Sequence, residues 1–382
     1  MKIAFLTPEY PHPKVGKSGG IGTSLLNLAK GLKALGHQIL ILVYGQNEDE
    51  SFIDDDIQFY KIKNRKIKGV SAYFTQKKVQ KLINKLYEEN KVDIVEVPDW
   101  TGFSAFINVQ CPIVIKLHGS DTYFCHLDNR KVKFKNYFLE KKAFKKAGGI
   151  LSVSEFTGKL TNQLFDSNRK FEVIHNGIDI NNFKSNISQS EESSLLYFGT
   201  LIRKKGVLEL PEIFNHVHAQ KSDVQLIVVG KDSSDLMTGS NSTWKLMQPL
   251  FSEEAFKKVK YLGEINYSEM PNLINEASVC VFPTFAEALP VSWLEAMAMK
   301  KAIVASDIGW AKEVIDDGEN GFLVHPTNHK KYADAIDKLL KDSILLKEFG
   351  IKARQKVKSN FENELIAEKT VAFYNKIIIS KS

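Results

Sequence analysis

The sequence predicts an α/β protein made of two parallel-sheet domains in tandem. Three observations carry this. Strand-sized apolar runs alternate with helix-sized amphipathic runs along most of the chain. The alternation is interrupted at residues 176–194, "NGIDINNFKSNISQSEESS", a polar stretch rich in Asn and Ser, and then restarts. Each half opens with strand, glycine-containing turn and helix. Such βαβ order implies parallel strands covered by helices. The length, 382 residues, suits two domains.

In the first half, "KIAFLTP" reads as the first strand and "SLLNLAKGLKALG" as a helix closed by Gly36. "QILILVYG", "VDIVEV", "CPIVIKLHG" and "GGILSVS" read as later strands. In the second half the strands are "LLYFGT", "VQLIVVG", "KKVKYLG", "ASVCVFPT", "KAIVASD" and "GFLVHP", with helices between most of them. The expected organisation is a first domain at 1–180, a linker at 181–194, a second domain at 195–360 and a helix at 361–382 that packs back on the first domain. Ligands of such sheets bind outside the carboxyl ends of the strands. Two of these domains facing each other would enclose a central cleft.

Composition narrows the class. Hydrophobic residues make up 43% and charged residues 25%, an ordinary globular balance. The three cysteines are odd in number and widely spaced, which argues against a disulfide framework or a zinc site and for a reducing compartment. The longest apolar runs fall well short of the ~20 residues of a membrane span. The start, "MKIAFLTPEYPHP", has too short an apolar stretch for a signal peptide, so a cytoplasmic location is expected. The net charge of +7 suits nucleic acid, a membrane surface or an anionic small molecule. No zinc-finger, RNA-recognition or helix-turn-helix signature is visible, so nucleic acid is not expected as a partner. Two basic runs, "KIKNRKIK" at 61–68 and "KVKFKNYFLEKKAFKKA" at 131–147, fall in the first half. They admit peripheral contact with the anionic inner face of a membrane. The alternative for the second run is a solvated helix face packed through Phe134, Phe138 and Phe144.

Several motifs sit where such folds place ligands. "SGGIGTS" at 18–24 follows the first strand, and its Gly19 and Gly20 would let backbone N–H groups approach an oxyanion at a helix start. It lacks the spacing of a dinucleotide site or a P-loop, and a plain strand-to-helix turn is the alternative. "YFGTLIRKKG" at 197–206 places Arg203, Lys204 and Lys205 just after a strand that ends at Gly199 and Thr200. A charge run is usually a solvated face; in this loop it points to anion binding. "VIKLHGSDTYF" puts His118 at the end of a first-domain strand, as a catalytic or sugar-contact residue or as a structural histidine.

"FAEALPVSWLEAM" at 285–297 carries two carboxylates around a helix start. Pro290 fits the first helical position, where its missing N–H costs nothing. Glu295 then lies about 7 Å along the axis and leans back toward the helix N-terminus. Glu287 lies in the mouth, where the free N–H groups of the first turn point. Glu287 alone is explicable as a carboxylate favoured by the helix dipole. Glu295 gains little there and would otherwise be an exposed helix former or a lysine's partner. Two hydroxyl-binding carboxylates flanking an anion pocket would suit a ligand with phosphate and polyol parts, such as a nucleotide sugar.

Taken in order, "GGIG", "LHGSD", "SVSE", "VIHNGID", "FGTLIRKKG", "PTFAEALPVSWLEAMAM" and "ENGFLV" resemble the family-4 retaining glycosyltransferases of the GT-B fold, with two Rossmann-like domains. The match spans nearly the whole chain, and the Glu287/Glu295 pair is its most specific part. The resemblance implies an acceptor-binding first domain and a donor-binding second domain. It implies that Glu295 holds the ribose, that Glu287 contacts the donor sugar and that Lys205 binds the diphosphate. It adds the backbone N–H groups of Ala288, Leu289 and Val291 beside Pro290, the backbone near Ile265 for the base, His118 against the transferred sugar, and Gly19 and Gly20 beside the phosphate or acceptor. It implies no cofactor and no metal. The donor would be a uridine- or guanosine-diphosphate sugar, and the acceptor a saccharide or lipid-linked molecule in cell-surface polysaccharide or glycolipid assembly. Two positions depart from the pattern. Thr200 stands where many members have Arg, so that role would pass to Arg203 or Lys204 or be lost. Trp310 stands where many have Gly, and would narrow the pocket. The competing readings are a nucleotide-sugar epimerase on a similar fold and a catalytically silent sugar-nucleotide-binding paralogue.

Overall fold

The computed structural model describes residues 1–16, 18–184 and 193–381; most of the expected linker, 185–192, lies outside the described residues. The chain divides into two compact units, Met1–Gly177 with Glu362–Ser382, and Ile178–Phe361.

The first unit is built on β1 (Lys2–Thr7), β2 (Gln38–Gln46), β3 (Glu50–Asp54), β4 (Ile57–Lys63), β5 (Ile94–Pro98), β6 (Ile113–Leu117), β7 (Gly149–Ser152) and β8 (Glu172–Val173). Their order in the sheet is β3-β4-β2-β1-β5-β6-β7-β8. Every pairing is parallel except β3 with β4. The central strands are Val-, Ile- and Leu-rich without alternation because helices cover both faces; Ile3, Leu6, Ile41, Leu42, Ile94 and Val95 are all buried. The β3–β4 hairpin was not foreseen. It turns at Asp55 and Asp56, both at positive φ, and its β3 edge is acidic and largely exposed. Part of the basic run 61–68 thereby becomes strand: Lys61 reaches Glu48 at 3.0 Å and Glu50 at 2.8 Å. The hairpin's own acids neutralise that end of the run.

The Asn363–Lys381 helix belongs to this first unit and packs along the Gly20–Ala34 helix. Gly31 permits the approach, since a Cβ there would lie 2.8 Å from the Asn363 carbonyl oxygen. Tyr374 of the same helix donates to Glu96 Oε2 at 2.6 Å, with both side chains buried.

The second unit carries β9 (Ser194–Phe198), β10 (Gln225–Val229), β11 (Val259–Tyr261), β12 (Val279–Phe282), β13 (Ala302–Ser306) and β14 (Phe322–Val324). Their order is β11-β10-β9-β12-β13-β14, and all pairings are parallel. The strand order reverses between β9 and β12. That switch point opens a crevice at the carboxyl ends of both strands. Across the two units Cys111, Cys125 and Cys280 are buried and form no disulfide among the described residues.

Candidate active site

The loops that leave β9 and β12 meet at the switch point of the second unit. After β9 the chain makes one 3-10 turn, Arg203–Lys205, and ends it at Gly206 with φ 66°. Gly206 is required twice over: its φ is left-handed, and a Cβ would collide with the Pro283 carbonyl oxygen at 1.6 Å. That close approach brings the two loops into hydrogen-bonding range. The Lys204 carbonyl oxygen accepts from the backbone N–H of Phe285 at 2.8 Å and Ala286 at 3.1 Å, and from Thr284 Oγ1 at 3.2 Å. The knot fixes the neighbouring side chains. Lys205 Nζ lies 3.1 Å from Glu287 Oε1, and both groups are largely sheltered from solvent. Tyr197, Thr284, Pro290, Ser292 and Trp293 line the same small cavity as this pair. The buried Tyr197 phenol is pushed well above its usual pKa by burial and by the Glu287 carboxylate.

The helix beyond Glu287 runs over Val291–Ala298. Pro290 stands one place earlier than expected: its ψ of 128° is extended, so it is the N-cap and not the first helical residue. A proline cap supplies no side-chain acceptor, and Pro290 makes no side-chain cap hydrogen bond. Ala288, Leu289, Pro290 and Val291 are buried around the helix start.

Glu295 lies in the second turn and is only 5% exposed, which removes the reading of an exposed helix former. Burial pushes its carboxyl up to about 7, against the opposing effects of Tyr267 and Lys205. Tyr267 Oη donates to Glu295 Oε1 at 2.6 Å. The tyrosine rides on the 3-10 turn Tyr267–Glu269, which a reciprocal capping box between Asn266 and Glu269 anchors. That turn begins two residues beyond Ile265, which is partly buried. Sequence reasoning missed Tyr267; its nearness to Ile265 was the available signal.

Three residues stand elsewhere than the sequence suggested. Arg203 is committed to Asp235 by a bidentate pair, Nε to Oδ1 and Nη2 to Oδ2, both at 2.9 Å. The guanidinium and the Thr238 hydrogen bonds hold the Asp235 carboxyl well below the usual carboxylate range. Trp310 does not narrow the cavity; it is buried with its ring 4.6 Å from that of Trp293 and supports the wall from behind. Thr200 contributes its carbonyl oxygen, which accepts from Tyr197 Oη at 3.3 Å, and Gly199 has φ 148° with Lys205 Nζ close beside it.

The first unit holds the remaining candidates. At the start of the Gly20–Ala34 helix the N–H groups of Gly19 and Gly22 donate to Glu9 Oε1 at 3.0 and 2.9 Å. The chain's own carboxylate therefore occupies the place the sequence offered to a ligand's oxyanion at Gly19 and Gly20. His118 is partly buried, and its backbone N–H donates to Asp99 Oδ1 at 2.9 Å. Desolvation, helped by the Lys116 charge, lowers the imidazole to about 3, so it is neutral near pH 7. It can exchange hydrogen bonds with a hydroxyl but carries no positive charge. Among the described residues, no group of three or more His, Cys, Asp or Glu is placed to hold a metal ion. No helix among them is long and apolar enough to cross a membrane.

The two parallel-sheet α/β units, with a lysine–carboxylate pair at the switch point of the second, have the GT-B fold, as the structural neighbours show. Residues 18–182 match the profile of Glycosyltransferase Family 4, and residues 179–356 that of Glycosyl transferases group 1. The chain belongs to this family of glycosyltransferases. It is 26% identical to an uncharacterized glycosyltransferase of Methanocaldococcus jannaschii over 98% of each chain. It is also 26% identical to the capsular polysaccharide biosynthesis glycosyltransferase CapM of Staphylococcus aureus, over 63% of this chain and 64% of CapM. Among solved structures, HepE of Anabaena in complex with UDP superposes with a TM-score of 0.76 at 20% identity, covering 98% of this chain and all of HepE. HepE has also been solved with UDP-glucose.

Proposed function

We propose that this glycosyltransferase moves a sugar, with retention of anomeric configuration, from a uridine- or guanosine-diphosphate sugar held by the second unit to a saccharide or lipid-linked acceptor. The observation that carries the reading is the Lys205–Glu287 pair at the start of the Val291–Ala298 helix, with buried Glu295 one turn further on. Lys205 and the N–H groups near Ala288, Leu289 and Val291 meet the diphosphate and stabilise its developing charge. Glu295 accepts from the ribose hydroxyls, Glu287 contacts the donor sugar, and backbone near Ile265 meets the base. The diphosphate needs no metal in this scheme. The acceptor oxygen bonds to the anomeric carbon on the face from which the diphosphate departs. The bond from that carbon to phosphate oxygen breaks, its electron pair stays on the diphosphate, and the acceptor's proton passes to it. Arg203 is assigned to holding Asp235 rather than to the donor. The UDP complexes of HepE support a uridine nucleotide, and the similarity to CapM, a capsular polysaccharide biosynthesis glycosyltransferase, supports polysaccharide assembly.

The test is transfer of labelled sugar from UDP- and GDP-sugars to saccharide and lipid-linked acceptors, with the product anomer read by NMR. Retained configuration in a new glycoside supports the proposal. An inverted product, or conversion of the donor with no acceptor required, overturns it.

The first unit adds a surface that fits an anionic membrane carrying a lipid-linked acceptor. Phe134 is 80% exposed, and Phe138, Tyr73 and Phe74 are also exposed. Of the three phenylalanines expected to pack that helix, only Phe144 is in the core. Lys142 Nζ sits 4.3 Å from the Phe106 ring, which also meets Tyr73, so the aromatic and basic residues form one face. Each cation near an anionic surface adds ~1 kcal/mol. Sedimentation with phosphatidylglycerol vesicles at low salt, lost in a Phe134→Ser, Phe138→Ser variant, supports this contact; no binding overturns it.

A further inference from the structure

We propose that Tyr267 is a positioning residue for the donor: its hydroxyl donates to one carboxylate oxygen of Glu295 and holds that group as a pure hydrogen-bond acceptor, with the other oxygen left for vicinal ribose hydroxyls. The inference rests on the reading of Glu295 as the ribose contact.

The geometry carries it. Glu295 is nearly inaccessible, and a carboxylate removed from water needs hydrogen bonds to stay charged. The groups that face it are the Tyr267 hydroxyl at 2.6 Å, from the 267–269 turn, and the Lys205 charge, from the 203–205 turn. Lys205 is already paired with Glu287 at 3.1 Å. Tyr267 thus makes the direct hydrogen bond, and the capping box beneath it fixes its backbone. Two adjacent ribose hydroxyls each have a proton to donate, and a protonated Glu295 would have one strong acceptor and one competing proton. A hydrogen bond to the ionised form favours that form, so Tyr267 acts in the direction donor binding needs.

The sign of the pH effect follows. Burial raises the Glu295 carboxyl to about 7, and Tyr267 lowers it against that trend. Donor affinity therefore rises with pH through the titration of Glu295 and levels off above it. Removing the phenol hydroxyl moves the midpoint upward.

The experiment is calorimetric titration of wild type, Tyr267→Phe and Glu295→Gln with UDP-glucose and GDP-mannose between about pH 6 and pH 9. The esterified diphosphate of these donors does not itself titrate there. Tyr267→Phe should bind about tenfold more weakly near neutral pH, recover at high pH, and show a midpoint raised by about one unit, the scale of one charge-assisted hydrogen bond. Glu295→Gln should bind weakly with no pH dependence. A Tyr267→Phe midpoint that does not move, or a loss equal at every pH, overturns the positioning role even if Glu295→Gln binds weakly. If Glu295→Gln binds as tightly as wild type, and 2′,3′-dideoxyuridine diphosphate competes as well as uridine diphosphate, the ribose reading itself fails.

Discussion

The two units place a helix start near the carboxyl ends of their central strands, yet they place the nearby carboxylate differently. In the first unit Glu9 folds back and takes the N–H groups of Gly19 and Gly22. In the second, Pro290 caps the helix without any side-chain acceptor, and the carboxylate in the mouth, Glu287, is paired with Lys205. In the first the carboxylate is spent on the helix start; in the second it is engaged with a cation. The comparison teaches that a glycine-containing strand–turn–helix does not by itself define an anion site. What matters is what the neighbouring side chains do: in the first unit Glu9 takes the N–H groups, and in the second a lysine stands beside the mouth.

The sharpest way to break this contrast is Lys205→Ala. If the second unit's helix start works on the diphosphate only together with that cation, kcat/KM for sugar transfer should fall about 10²–10³-fold, the scale of losing one preorganised charge-stabilising donor. Near-normal turnover would mean that the pair with Glu287 is structural. Next in size is Glu295→Ala, expected to weaken donor binding by about 1.5–3 kcal/mol in calorimetry, as for a hydrogen bond to a charged group. Unchanged affinity would detach the buried carboxylate from the donor.

Two variants probe the first unit. Tyr374→Phe strips buried Glu96 of a donor at 2.6 Å and should cost about 1–3 kcal/mol of stability in denaturant unfolding. A value near zero would show that packing alone docks the last helix. Glu9→Ala should cost about 1 kcal/mol, as for loss of a helix cap, with donor affinity unchanged. The vacated N–H groups should then let sulfate raise the melting temperature of the variant more than that of wild type. If it does not, Glu9 is not what distinguishes the two helix starts.

The smallest effect expected is a null one. His118 is lowered from 6.5 to about 3 by burial and by Lys116, so its ring NMR shifts should not titrate between about pH 5 and pH 8. Its contribution to stability is present above pH 6.5 and is lost as pH falls toward 3, because there the unfolded chain binds a proton the folded one does not. A titration near neutrality would reopen a cationic role.

Much of this was legible in the residues. The central strands of both sheets stood out because parallel strands buried on both faces read as continuous apolar runs. β3 was illegible because an acidic, exposed edge carries no such run, β4 because Gln58 and Lys61 interrupt its apolar residues, and β8 because it is two residues long. At the site, Lys205, Glu287 and Glu295 could be placed because they lie within a few residues of a strand end or a helix start. Arg203 could not: its partner Asp235 is 32 residues away, and nothing local says which of three adjacent cations is already taken. Tyr267 and Glu295 are likewise 28 residues apart.

The sequence by itself determined the tandem α/β architecture, the turn that bears Lys205 and the helix that bears Glu295, because these follow from local periodicity, glycine and proline chemistry. Only the tertiary structure decided which charges remain available. That depends on pairings between segments distant in the chain: Glu9 with the Gly19 turn, Arg203 with Asp235, Tyr267 with Glu295. Local propensity fixes where a side chain starts, and packing fixes what it meets.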